Sequence, residues 1–240
     1  MASKRAWRLL GAVIILVGAI LLIVALFTPW YAVKTSAETG GSTTVYSYLG
    51  MPSMNGTIQF SCSPAAGCPS STSYPSGTNV GNVVETAFFL LIAGITLGVL
   101  ATILVFAARD NARRSGFGLA LGVLALFLAI ITPGFFAVAL PPAFSNDGGS
   151  SGTNTSGPWS SFMGSSRTPC CNPLNGWLTY DWGPAIGWYL SIVASAILLI
   201  GVIILFSRRK ESPPTKTIVT PASAAPDPAT QPPPSPPPGP

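Results

Sequence analysis

Four cysteines, Cys62, Cys68, Cys170 and Cys171, are the side chains of this sequence best equipped for chemistry. They form two close pairs, one in each of two stretches rich in Ser, Thr, Gly and Pro. An even number of cysteines confined to such stretches reads as two disulfides in an oxidising compartment. Adjacent cysteines hold their Cα atoms about 3.8 Å apart, short of the roughly 4.4–6.8 Å usual for a bridge. A Cys170–Cys171 bond would therefore be strained and easily reduced. Cys62 and Cys68 are expected to pair with Cys170 and Cys171, in an order the sequence leaves open. A tetrathiolate metal centre ranks behind, because the vicinal pair lacks the spacer that zinc sites use. No cofactor is expected.

Other reactive groups are scarce. Histidine, the commonest general base and metal ligand, is absent. Charged residues make up 8% of the 240-residue chain while 48% is hydrophobic. Soluble domains carry about a quarter charged residues, so the solvent of this chain is lipid. The elements that position the cysteines are accordingly four apolar spans, expected at residues 9–31, 85–108, 117–140 and 184–207, each long enough for the roughly 30 Å bilayer core. Inside them, past Glu85, no Asp, Glu, Lys or Arg occurs. Pumps and proton-coupled transporters mark their pathways with such residues. The hydroxyls Thr96, Thr102, Thr132, Ser191 and Ser195 are expected to bond their own helices.

Of the 12 Lys and Arg, ten cluster beside span ends: Lys4, Arg5, Arg8; Arg109, Arg113, Arg114; Arg208, Arg209, Lys210 and Lys216. By the positive-inside rule residues 1–8, 109–116 and 208–240 are cytoplasmic, and residues 32–84 and 141–183 are outer loops. The first span is a retained anchor, too long for a signal-peptide core and followed by the poor cleavage site TPWY. Localisation is expected in the plasma membrane with both termini inside. Net charge +5 is thus a topology signal; nucleic acid is not a partner.

Within the first outer loop, Tyr31–Ser36, Thr43–Tyr48 and Thr57–Ser61 are β-rich patches between turn formers, predicting a small antiparallel sheet. Asn55 and Asn154 head glycosylation sequons in the two loops. Gly94, Gly98, Gly118 and Gly122 form two GxxxG motifs that would let helices pack closely. Pro133-Gly134 predicts a kink in span three, and Pro141-Pro142 its end. Trp159, Trp177 and Trp182 are candidates for a partner surface, Trp182 equally for interfacial anchoring. The tail ends PPPSPPPGP, expected to be a disordered, passive polyproline extension, with docking of a proline-reading domain as the alternative.

Four spans, inner termini, a longer β-containing first outer loop, Pro29-Trp30 after span one, and Cys62 with Cys68 resemble the claudin and peripheral-myelin-protein type of tetraspan. The family's Gly-Leu-Trp has no match; Tyr48-Leu49-Gly50 is nearest. Cys170-Cys171-Asn172 is similar to the tetraspanin Cys-Cys-Gly element. Two outer cysteine pairs also resemble quinone-coupled thiol oxidases, although CSPAAGC exceeds a CxxC.

The expected fold is an all-α membrane protein, a four-helix transmembrane bundle with a small β-containing, disulfide-stapled cap. The claudin-type resemblance implies a non-enzymatic structural, adhesion or scaffold role. Membrane lipid, other membrane proteins or a second copy are the expected partners. Alternatives are a thiol oxidase and a small channel or transporter subunit.

Overall fold

The computed structural model describes residues 2–38, 42–51, 57–63, 71–73, 77–107, 112–149, 157–158, 160–170 and 176–209. Four helices carry the chain: α1 (Ala2–Leu26), α2 (Asn79–Ala107), α3 (Ala112–Phe144) and α4 (Ile186–Arg209). All four are long and apolar enough to cross a membrane. They form a ring in which α1 touches α2 and α4, and α3 touches α2 and α4. Large apolar side chains also cover the outer faces of the bundle, among them Val17, Ile103, Phe127 and Ile200. A helix apolar all round belongs in lipid or in a large core.

The helix ends have local causes. The first helix stops at Leu26, short of the expected Tyr31, because Pro29 has no N–H and drives Thr28 out of helical geometry. The Thr28 hydroxyl donates back to the carbonyls of Val24 and Ala25, at 3.2 and 3.0 Å. Helix α2 starts earlier than expected, at Asn79, where Thr78 Oγ1 accepts the Gly81 N–H at 3.1 Å as an N-cap. Helix α3 runs through Pro141-Pro142, expected to end it, to Phe144. Burial of Leu140 and Ala143, and packing of Phe144 on Tyr31, hold that last stretch.

At one end of the bundle lies a six-stranded antiparallel sheet. Its strands are β1 (Tyr31–Glu38), β2 (Ser42–Gly50), β3 (Thr57–Ser63), β4 (Ser71–Ser73), β5 (Gly164–Cys170) and β6 (Gly176–Pro184). The spatial order is β4-β3-β2-β1-β6-β5. The three expected patches are β1, β2 and β3. The strands from the second loop were not expected, and β6 pairs with β1 along its whole length, from Tyr31 opposite Pro184 to Glu38 opposite Trp177. The two loops are therefore one sheet, joined by backbone hydrogen bonds.

Candidate functional site

The sheet meets the bundle through an aromatic core. Trp30 and Tyr31 sit at the turn from α1 into β1 and are fully buried. The Trp30 indole donates to the Ala25 carbonyl at 2.7 Å and its ring meets Phe136 edge-on at 5.5 Å. Phe162 stands 5.5 Å from Tyr31, 6.2 Å from Phe136 and 5.6 Å from Trp188. The Trp188 indole crosses to α3 and donates to the Pro133 carbonyl at 3.0 Å. Backbone bonds from Ala185 to Trp30 and from Gly187 to Pro29, 3.0 and 2.7 Å, tie the start of α4 to the same turn. The sheet is thus joined to one end of the helix bundle by these contacts.

Alternation along the strands separates two faces. Tyr31, Val33, Leu49 and Trp182 turn toward the core, while Lys34, Thr179, Asp181 and Arg167 share the opposite face. Lys34 stands opposite Asp181 in the ladder. The Arg167 guanidinium covers the Trp177 ring at 4.8 Å, leaving Trp177 42% exposed. The candidate partner surface therefore keeps Trp177 and loses Trp182, which is 6% exposed and donates to the Ser161 carbonyl at 3.0 Å. Burial under the sheet also removes Trp182 as an interfacial anchor. Trp159 lies outside the described residues.

Backbone register places Cys62 in β3 opposite Val45 and Cys170 at the end of β5 opposite Gly176. Strands β2, β1 and β6 lie between them. The expected pairing of Cys62 and Cys68 with Cys170 and Cys171 lies outside the described residues. The side chains of Cys62 and Cys170 lie outside the described residues, as do Cys68, Cys171, Asn55, Asn154 and the tail from residue 210.

Within the bundle, Gly94, Gly98, Gly118 and Gly122 are all buried at helix contacts. Gly94 faces Leu128 and Ala125 on α3; Gly118 faces Val105 and Ala101 on α2; Gly98 and Gly122 face residues of α1, Ala19 and Ile15. A Cβ on Gly118 would come within 2.9 Å of Val105, and the α1–α4 seam is equally tight. A Cβ on Gly11 would come within 2.9 Å of Leu205, on Gly18 within 2.8 Å of Leu198, and on Gly201 within 2.7 Å of Ile15. Their signal in the sequence is a seven-residue interval, Gly11 to Gly18, on the α1 face that meets α4.

Every hydroxyl singled out in the spans donates along its own helix. Thr96, Thr102 and Thr132 bond the carbonyls of Ile92, Gly98 and Leu128; Ser195 bonds Ser191, and Ser191 bonds Trp188. None is turned to a partner helix among these bonds.

No protein-family model matches this chain, and no curated protein matches its sequence.

Proposed function

We propose that this chain is a non-enzymatic tetraspan of the plasma membrane, with both termini cytoplasmic, acting as a structural or adhesion subunit through its cap and lateral helix packing. The observation that carries this reading is the β1–β6 pairing, which makes both outer loops one rigid surface fixed to the bundle. A likeness to claudin and peripheral-myelin-protein tetraspans, in four spans and a β-containing first loop, supports it. Neighbouring helices touch through small residues, the packing that lipid favours. Other membrane proteins or a second copy are the partners.

The four cysteines close the cap as structural disulfides in this reading. Cys170 and Cys171 then separate the scaffold from a thiol oxidase. Proteoliposomes carrying the purified chain test both readings. The scaffold predicts vesicle clustering that Trp177→Ala weakens, with thiols indifferent to added quinone. Quinone-dependent reoxidation of Cys170 and Cys171, without clustering, would overturn it.

A further inference from the structure

Among the described residues, no strand pairs with the outer side of β4 or of β5, the two ends of the sheet. Strand β4 has three residues, a length that blunts an edge. Strand β5 has seven, and Ser165, Arg167 and Pro169 along it are exposed. An open strand of that length presents a row of backbone donors and acceptors that templates a further strand.

Pro169 fixes which way the row faces. A proline sits in an edge strand with its nitrogen toward the open side, having no N–H to give the ladder. Alternation then turns the backbone N–H and C=O of Arg167 and Ser165 outward too. The backbone of Ser166, between them, turns back to β6, where it stands opposite Tyr180. Such a row pairs with itself. About a two-fold axis at Ser166, Arg167 meets the second copy's Ser165, and Ser165 meets the second copy's Arg167, each pair exchanging both hydrogen bonds.

Charge selects this register. Ser165 stands opposite Asp181 and Arg167 opposite Thr179, all on the face turned from the core. Pairing about Ser166 therefore puts Arg167, the second copy's Ser165 and its Asp181 in one row. Two strand spacings, about 10 Å between Cα atoms, are spanned by an arginine and an aspartate reaching over a serine. Arg167 leaves the Trp177 ring, 4.8 Å from it in the single chain, to take that carboxylate. Lys34, opposite Asp181 in the ladder, does not close it, because a carboxylate accepts from two cations at once. Other registers lose the match. An axis at Arg167 sets the two arginines opposite each other, and one at Ser165 puts both Asp181 in one row. Complementarity that arises under a two-fold operation makes the occupant a second copy.

We propose that the outer edge of β5 pairs antiparallel with β5 of a second copy about an axis at Ser166, joining two caps into one continuous sheet. This deepens the scaffold reading, on which it rests, by naming the surface. Its test is oxidative crosslinking of the purified full chain in proteoliposomes. At the axis Ser166 meets itself with Cα atoms about 4.5 Å apart, within disulfide reach. Ser166→Cys should give a dimer linked 166 to 166 in peptide maps, well above wild type, whose four cysteines set the background. Ser36→Cys, on the inner strand β1, should stay at that background. Arg167→Asp and Asp181→Arg should each cut the Ser166→Cys link about tenfold, because the axis counts each change twice. The two together should restore it to within about twofold.

Absence of the 166 link, equal linking through Ser36→Cys, or a charge-swapped double variant no better than either single one would overturn the pairing. Vesicle clustering without the link defeats this proposal alone. The link in vesicles that stay dispersed upholds the pairing and defeats adhesion between membranes.

Discussion

Asp147 Oδ2 accepts the backbone N–H of Val80 at 2.8 Å, while Oδ1 accepts both the backbone and side-chain N–H of Asn79 at the same distance. A carboxylate 68 residues downstream thus finishes the start of α2. The first turn of any helix leaves N–H groups without partners, and its positive end favours an anion. Thr78 satisfies one of these donors locally and Asp147 two more from the end of the neighbouring α3. Gly148 follows with φ +90°, a backbone region that glycine reaches without strain, and turns the chain away toward the second loop.

Asp147→Ala should lower stability by about 1 kcal/mol, the usual cost of losing a helix cap, and Asp147→Asn by less. Hydrogen exchange at residues 79–82 should quicken in both. Unchanged protection there would show that Thr78 suffices.

The glycines divide by what a methyl group would meet. At Gly187 it would meet Trp30 Cδ1 at 2.7 Å and the Pro29 carbonyl at 2.8 Å; at Gly94 the nearest atom stands at 3.5 Å. Gly187→Ala should therefore cost roughly 1–3 kcal/mol by overpacking. Gly94→Ala should be within about 0.5 kcal/mol of wild type, as should Gly122→Ala. Thermal melts in one detergent compare them, and equal losses would mean that a methyl group fits at Gly187 as readily as at Gly94.

Tyr31 is 1% exposed, and its hydroxyl is buried without a hydrogen-bond partner among the described residues. Removing an unpaired buried hydroxyl relieves its desolvation, so Tyr31→Phe should be neutral or stabilising. Tyr31→Ala should cost about 3–5 kcal/mol through the lost ring.

Burial also pushes the Tyr31 phenol far above its usual 10.0. A raised phenol pKa favours the protonated native state. This contribution is complete below about pH 10 and is lost as pH rises beyond it toward the folded value. Stability of wild type should fall faster above pH 10 than that of Tyr31→Phe, in denaturant titrations across the alkaline range.

Trp188→Phe keeps most of the ring contact with Phe162 but deletes the indole donor to Pro133. It should cost roughly 0.5–1.5 kcal/mol, the net worth of one such bond. A neutral result would mean that the Pro133 carbonyl finds another donor.

The apolar runs determined by themselves that four long helices would form, since no alternative satisfies the backbone away from water. The β-branched patches of the first loop likewise determined β1, β2 and β3, because period-two alternation is a local property. The own-helix bonds of Thr102 and Ser195 were legible for the same reason: their partners lie one turn away. Pairings that depend on distant residues were not legible. Trp177–Trp182 alternates as a strand should, yet its aromatics read equally as a surface or an anchor until β1 supplied a ladder for them. Register across that ladder then decided that Trp182 faces inward, Trp177 outward, and that Cys62 stands strands away from Cys170. In the same way Gly11 and Gly18 look ordinary until α4 approaches them. Local preference is written in neighbouring residues; contact between elements is a property of the closed ring, and only that ring fixes which side chains share a layer.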